Sequence, residues 1–208
     1  MEIQHTLYIN LEERTDRRSH VEEQLASIGI HQPIRFNAVK TDNGNIGCST
    51  SHVRCLELAK KNNWSHVLIV EDDITFVDPF MFKRQLAGFF QDEIAFDVLF
   101  LGGYVIPPYK PVNSHCVQVF SCQCAVGYLV KHHYYETLIQ HMHEGLTKLT
   151  KEPYNHHYYM NDKYWFSLQR QHLWFIIVPL TVIQYPNYSN LAHCETDYSK
   201  NMLTLNPN

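Results

Sequence analysis

The sequence predicts an α/β fold in which helices pack on a parallel sheet. Two observations carry this. Segments of strand length recur along the chain, as apolar runs at residues 5–10, 67–70, 96–101 and 174–178 and as a more polar strand at 33–38. Between the first two of these segments, Val21, Leu25 and Ile28 follow one another at helical spacing. Strand, helix and strand in that order form the unit from which parallel sheets are built.

In the first unit, Thr15 is placed to cap the helix, with Asp16 in its first turn and Gly29 to stop it. Residues 40–50 read as a polar loop. Ser49, Thr50 or Ser51 then caps a second helix that runs to about Asn62 and buries Val53, Leu56 and Ala59. Residues 67–70 are wholly apolar and end abruptly in Glu71-Asp72-Asp73; residues 96–101 end in Gly102-Gly103. Residues 104–113 carry three prolines and read as loop. Strands are expected at 117–120 and 125–130, a helix at 133–144 and a late strand at 174–178. Residues 148–161 are polar and aromatic and show no clear period, and the chain beyond Asn201 is expected to fray.

Composition limits the function. With 45% hydrophobic and 18% charged residues, the 208-residue chain can bury a core as one globular domain. A formal net charge of -4 argues against a general nucleic-acid or acidic-membrane binder, whereas a few local Arg and Lys residues suffice for a single nucleotide diphosphate. The N-terminus lacks the basic-then-apolar pattern of a secretory signal, and no apolar stretch approaches the ~20 residues that span a bilayer, so a cytoplasmic location is expected. Cys48, Cys55, Cys116, Cys122, Cys124 and Cys194 match no standard zinc spacing. They read as reduced, mostly buried thiols, with disulfides as the alternative.

Three segments carry candidate chemistry. Three adjacent carboxylates at the mouth of a buried strand repel one another unless something neutralises them. A hard divalent cation does so and keeps phosphate oxygens in its shell, and open parallel sheets collect ligands at the carboxyl ends of their strands. A solvated turn is the other reading of Glu71-Asp72-Asp73, and spacing alone leaves both open. Arg14, Arg17 and Arg18 stand at a helix start, where backbone N–H groups and guanidinium groups suit a diphosphate. Cations there oppose the helix macrodipole, which speaks for a binding role over a merely solvated first turn. The third segment, Gly47-Cys48-Ser49-Thr50-Ser51-His52, reads on its own as a cap with a half-buried histidine.

Taken in order, these segments resemble glycosyltransferase family 25, which includes lipooligosaccharide and collagen galactosyltransferases. Tyr8-Ile9-Asn10-Leu11 with Arg14, Asp16, Arg17 and Arg18 resembles its opening signature, and Phe36-Asn37-Ala38-Val39 the strand and loop that follow. Ile46-Gly47-Cys48 and Ser51-His52 resemble its "GC…SH" segment, and residues 68–73 its metal-binding "EDD". Leu99-Phe100-Leu101-Gly102 resembles "LYLG", residues 125–130 its "AY(L/I)" strand, and residues 184–191 its late "Q…FSDI" segment. The likeness spans nearly the whole chain and rests on the order of the pieces, none of which is specific alone.

The resemblance implies a GT-A-type fold, with a Rossmann-like mixed sheet, mostly parallel and flanked by helices. Residues 1–103 would form the nucleotide-sugar-binding half and 104–208 the acceptor-side half. It also implies a UDP-sugar donor, Mn2+ or Mg2+, and transfer of galactose or glucose with inversion. The acceptor would be a glycan, a lipid-linked saccharide or a hydroxylysine-type protein; no nucleic-acid partner is expected, and the oligomeric state stays open. By position, Asp73 and Glu71 become metal ligands. Tyr8, Asn10, Arg14, Arg17, Ser51, His52, Glu71, Asp72, Ser189 and Asn190 become donor-site residues, and Asp162 the catalytic base. Asp162 also suits a plain helix cap. Where the family has aspartate in "SDI", this chain has Asn190, which cannot supply a negative charge; His193 is the candidate that compensates as a metal ligand. Residues 154–159, rich in Tyr and His, are the candidate acceptor platform. Two alternatives stand beside this reading: a nucleotide-sugar-binding module with weak or no catalysis, and, from outside the family, a phosphoryl- or nucleotidyl-transfer enzyme, whose P-loop version is weakened by the lack of a G-x-x-x-x-G-K-[ST] loop.

Overall fold

The chain begins with an apolar strand, β1 (Thr6–Asn10), all five residues of which are buried. The computed structural model describes residues 2–189 and 194–205, without the side chains of 187–189. Helix α1 (Thr15–Ser27) follows and buries Val21 and Leu25; Gly29, at φ +93°, stops it with a backbone that other residues rarely adopt. Thr15 is the first helical residue and does not cap the helix: Arg14 holds that position, and its side chain makes no capping hydrogen bond. The chain returns as β2 (Ile34–Asn37), parallel to β1.

The next helix, α2 (Gly44–Lys61), starts earlier than the sequence suggests. The Asn43 side chain caps it by accepting from the N–H groups of Asn45 and Ile46. Ser49, Thr50 and Ser51 therefore lie inside the helix, and the hydroxyls of Thr50 and Ser51 donate back to the carbonyls of Ile46 and Gly47. The glycines at 44 and 47 suggest a loop, yet a single good cap and the buried face of Val53, Leu56 and Ala59 outweigh their low propensity.

Strand β3 (His66–Glu71) pairs in parallel with β1. A short strand, β4 (Ile74–Phe76), and helix α3 (Pro79–Gln91) come next, and neither was evident in the sequence. The helix signature is local: Asp78 accepts from the Met81 N–H, and Pro79 occupies the first helical position. Strand β5 (Val98–Val105) runs straight through Gly102-Gly103, where an end was expected. A Cβ on Gly102 would sit 2.7 Å from Val182, and one on Gly103 2.6 Å from the Cys122 sulfur. Those glycines mark close approach and a register shift against the neighbouring strand, not termination.

Within the expected loop lies β6 (Tyr109–Pro111), followed by β7 (Cys116–Val119) and the long β8 (Cys122–Lys131). Helix α4 (Tyr135–Lys151) buries Leu138, Ile139, Met142 and Leu149 along one face. Short helices α5 (His156–Tyr159), α6 (Asn161–Tyr164) and α7 (Phe166–Gln169) lead to β9 (Trp174–Ile177) and β10 (Val182–Gln184). A two-stranded ribbon of β11 (Asn187–Ser189) and β12 (Cys194–Thr196) precedes α8 (Ser199–Met202). The tail is held at that point, because Met202 is fully buried and its sulfur accepts from the Gln184 N–H.

The main sheet has the order β2-β1-β3-β8-β5-β9-β7-β6. Its pairings make β1, β2, β3, β5, β9 and β6 point one way, with β8 and β7 reversed. It is thus a mixed, mostly parallel sheet flanked by helices, and β8 ties the two halves of the chain into one sheet. Alternate residues of the buried strands feed two cores. Leu7, Ile69 and Phe100 meet α2 and α4 on one face; Tyr8, Leu68 and Leu99 meet α1 and α3 on the other. Trp165 anchors the first core, its ring 5.2 Å from Phe100 and 5.4 Å from Trp174, with its indole N–H on the Cys122 carbonyl. Among the described residues, no helix is long and apolar enough to cross a membrane, and all six cysteines are free thiols.

Candidate functional site

The parallel pairing of β1 and β3 sets Ile9 opposite Glu71, so the chain leaves both strands at the same sheet edge. This puts Asn10 beside the acidic triplet, where its side-chain N–H donates to Asp72 Oδ2 at 2.7 Å. Arg17, one turn into α1, reaches over the same edge. Its Nη1 lies 3.1 Å from Asp72 Oδ1 and 3.1 Å from Asp73 Oδ2. The pairing of β10 with β4 brings Gln184 opposite Ile74, so Gln184 Nε2 donates to Asp73 Oδ2 at 3.0 Å while the Tyr185 N–H donates to the Asp73 carbonyl at 2.7 Å.

The third carboxylate of the triplet meets α2. Glu71 Oε1 is 3.1 Å from Nε2 of the fully buried His52, and Nδ1 of that ring is 2.9 Å from the Tyr128 hydroxyl. Ser51, one residue earlier on α2, accepts from the Val39 N–H at 2.8 Å and so fixes the loop after β2.

Except for Asn10 and Tyr128, which are buried behind Asp72 and His52, these groups line one cleft of about 580 Å³ at the carboxyl ends of β1, β2 and β3. Its walls include Arg14, Arg17, Lys40, Ser51, His52 and the whole acidic triplet. A volume of this size suits a small-molecule ligand. Burial raises the Asp72 carboxyl, partly offset by the Asn10 and Arg17 bonds; burial, then the Glu71 charge, raises that of Asp73. The clash of charges expected from the sequence is therefore met in part by the protein itself, through Arg17. It is not met in full: Asp73 Oδ1 is buried with no hydrogen-bond partner among the described residues.

The other expected site residues divide. Tyr8 lies away from the cleft, buried on the α1 side with its hydroxyl donating to Glu22. Arg14 lines the cleft but is tied to Asp16 at 2.8 Å. Asp162 does not line it; its Oδ2 accepts from the Cys124 N–H at 3.1 Å, so it braces β8 instead of capping its own helix, and its Oδ1 is buried without a partner among the described residues. Burial raises that carboxyl, and the charges of Glu71 and His52 act on it. Of the aromatic stretch, His156 joins Pro153 on the cleft wall while Tyr154 and Tyr158 are exposed. Ser189 pairs with Cys194 through its backbone, with its side chain outside the described set; Asn190 and His193 lie outside the described residues.

Three cleft residues were given no site role by the sequence, although Cys48 and Gln184 stand in segments that it singled out. Gln184 reaches Asp73 through a strand pairing that no local pattern reveals. Asn43 was hidden by the loop-like glycines around it. Cys48 stands one turn before His52, a spacing that becomes meaningful once α2 starts at Gly44.

Residues 41–159 match the model of the family described as "Glycosyltransferase family 25 (LPS biosynthesis protein)". A "Procollagen lysyl hydroxylase and glycosyltransferase" of Acanthamoeba polyphaga mimivirus is 31% identical over 118 residues, covering 47% of this chain. The match spans only 13% of that protein's length. Among solved structures, a mannose-1-phosphate geranyltransferase from Thermus thermophilus superposes with a TM-score of 0.48 at 9% identity, covering 85% of this chain and 74% of that one. A glycosyltransferase involved in the glycosylation of the major capsid of PBCV-1 gives 0.46 at 10% identity, covering 83% and 91%.

Proposed function

The chain belongs to glycosyltransferase family 25, and from that premise we propose that it transfers a hexose, galactose or glucose, from a UDP-sugar to a glycan, lipid-linked saccharide or hydroxylysine-type protein acceptor, with inversion and with Mn2+ or Mg2+. The observation that carries this reading is the convergence of Arg17 and the Glu71-Asp72-Asp73 triplet, braced from behind by Asn10, in one cleft at the carboxyl ends of parallel strands.

The residues present fit a hard divalent cation. The cleft edge offers carboxylate oxygens, and Asp73 Oδ1 is a buried acceptor with no partner among the described residues. Asp73 and Glu71 would hold the ion, which when bound offsets charge on the departing diphosphate. The protein's own groups do the rest. Arg17 and Arg14, with Lys40 on the facing loop, give the cleft the positive charge that a diphosphate needs. Asn10 and Gln184 hold the two aspartates by donating to them, so their geometry is fixed before a ligand arrives. His52, clamped between Tyr128 and Glu71, and Ser51 form the wall beside the donor sugar. Asp162 is assigned the role of base by its place in the family pattern: it stands behind the cleft wall, bonded to the Cys124 N–H and within electrostatic reach of Glu71 and His52, and burial raises its carboxyl.

The reading is tested by incubating the chain with UDP-galactose or UDP-glucose and Mn2+ and measuring UDP release. Release, even by slow hydrolysis without an acceptor, supports the transferase. Tight UDP binding with no turnover would instead make this a binding module, and nucleoside triphosphate hydrolysis that outruns UDP-sugar turnover would make it a phosphoryl-transfer enzyme.

A further inference from the structure

On the face of α2 that meets the end of β3, a sulfur, a nitrogen and an oxygen come together. Cys48 and His52 are four residues apart on the helix, so both side chains leave the same face. The Cys48 thiol, a His52 ring nitrogen and a Glu71 carboxylate oxygen all lie within 4.8 Å of one another. All three residues line the cleft.

We propose that Cys48, His52 and Glu71 form a second cation site, distinct from the oxygen site at Asp73, that takes a thiophilic divalent ion of the Zn2+ class with its fourth position open to the cleft. Thiolate and imidazole select Zn2+ over Mn2+ or Mg2+, which prefer oxygen. Three protein ligands and one open position are the usual arrangement of a zinc site that keeps a place for water or a ligand.

The surroundings support the ligand roles. His52 is fully buried, and its Nδ1 is already 2.9 Å from the Tyr128 hydroxyl, the outer partner that orients an imidazole for coordination through Nε2. Coordination requires the tautomer with Nδ1–H donated to Tyr128, and it replaces the present His52–Glu71 contact with two bonds to one ion. The Cys48 thiol releases its proton to solvent as the ion binds. The helix is held in place for this: Asn43 caps it, and Ser51 ties it to Val39. Asp162 adds a negative charge that acts on both Glu71 and His52, and its Oδ1 is buried without a partner among the described residues, so the surroundings favour a cation. Because Glu71 serves both sites, one ion at a time can use it fully.

The experiment is a Co2+ titration of the metal-free chain followed by absorption spectroscopy. Cobalt on a thiolate gives a near-ultraviolet sulfur-to-metal charge-transfer band that oxygen-only sites lack. The band is expected in the wild type and in Cys194→Ser, which removes the exposed thiol, and is expected to be lost in Cys48→Ser. Glu71→Gln, at a carboxylate open to the cleft, keeps the fold and the band at saturation but weakens Co2+ binding at least about tenfold. Absence of the band in the wild type, its survival in Cys48→Ser, or unchanged affinity in Glu71→Gln would each overturn the proposal. The sulfur band reads this site alone, so its failure leaves Mn2+-dependent UDP binding untouched, and the reverse also holds.

Discussion

Arg17 Nη1 lies 3.1 Å from Asp73 Oδ2 and the same distance from Asp72, so one guanidinium stands where a cation would be needed between two buried carboxylates. Removing it leaves both carboxylates with their amide donors from Asn10 and Gln184 but without the opposite charge they pair with. Arg17→Ala is expected to cost roughly 3–5 kcal/mol, the usual penalty for leaving a buried charge without its partner. Mn2+ should recover part of that loss by supplying the missing positive charge. Urea unfolding with and without Mn2+ measures both effects. A loss below about 1 kcal/mol would place this pair with weak surface ion pairs instead.

Asp162→Asn preserves an oxygen that can still accept from the Cys124 N–H, so the fold and UDP binding should survive. Transfer to an acceptor should fall by about 100-fold or more, in line with the loss of a general base. Turnover assayed beside UDP affinity separates the outcomes. If UDP affinity collapses together with the melting temperature, Asp162 is a structural brace and the base lies elsewhere.

Gly47→Ala places a Cβ 2.4 Å from the Val39 carbonyl oxygen, a backbone atom that cannot rotate away. The helix would welcome alanine by up to about 1 kcal/mol; the collision should outweigh this and destabilise by about 1–3 kcal/mol. UDP affinity should fall as well, because Val39 and Lys40 line the cleft. Thermal unfolding gives the sign, and a more stable variant would mean that this contact relaxes freely.

Thiol chemistry has a fixed order in this fold. Cys194 is exposed, whereas burial pushes the Cys116 thiol up to about 11 and the Cys124 thiol up to about 12. At pH 8, intact-mass analysis should show one rapid alkylation at Cys194, and six only after denaturation. Rapid labelling of Cys122 or Cys124 in the native protein would contradict the packing of β8.

The first half of the fold was legible because its signals are local. The apolar strand before Glu71, the spacing of Val21 and Leu25, and Gly29 at the helix end each read directly. The start of α2 was misread because Gly44 and Gly47 look like loop, while the Asn43 cap and the close approach of Val39 that requires a small residue at 47 show only in three dimensions. The acidic triplet and Arg17 were found in the sequence, but their contact spans 56 positions and depends on β1 and β3 being neighbours. Gln184 is 111 positions from Asp73, and its role follows from a strand pairing with no sequence signature. Tyr8 shows the converse: its place in a promising motif said nothing about side-chain direction, and strand alternation turns it toward α1.

The central claim is that the Asp73 carboxylate holds a divalent cation for the diphosphate of a UDP-sugar. Calorimetric titration of UDP into the wild type and Asp73→Asn, with Mn2+ and without it, tests this most directly. The account predicts that Mn2+ tightens UDP binding in the wild type and has no effect on UDP binding in a folded Asp73→Asn variant. An equal Mn2+ dependence in both proteins would contradict it.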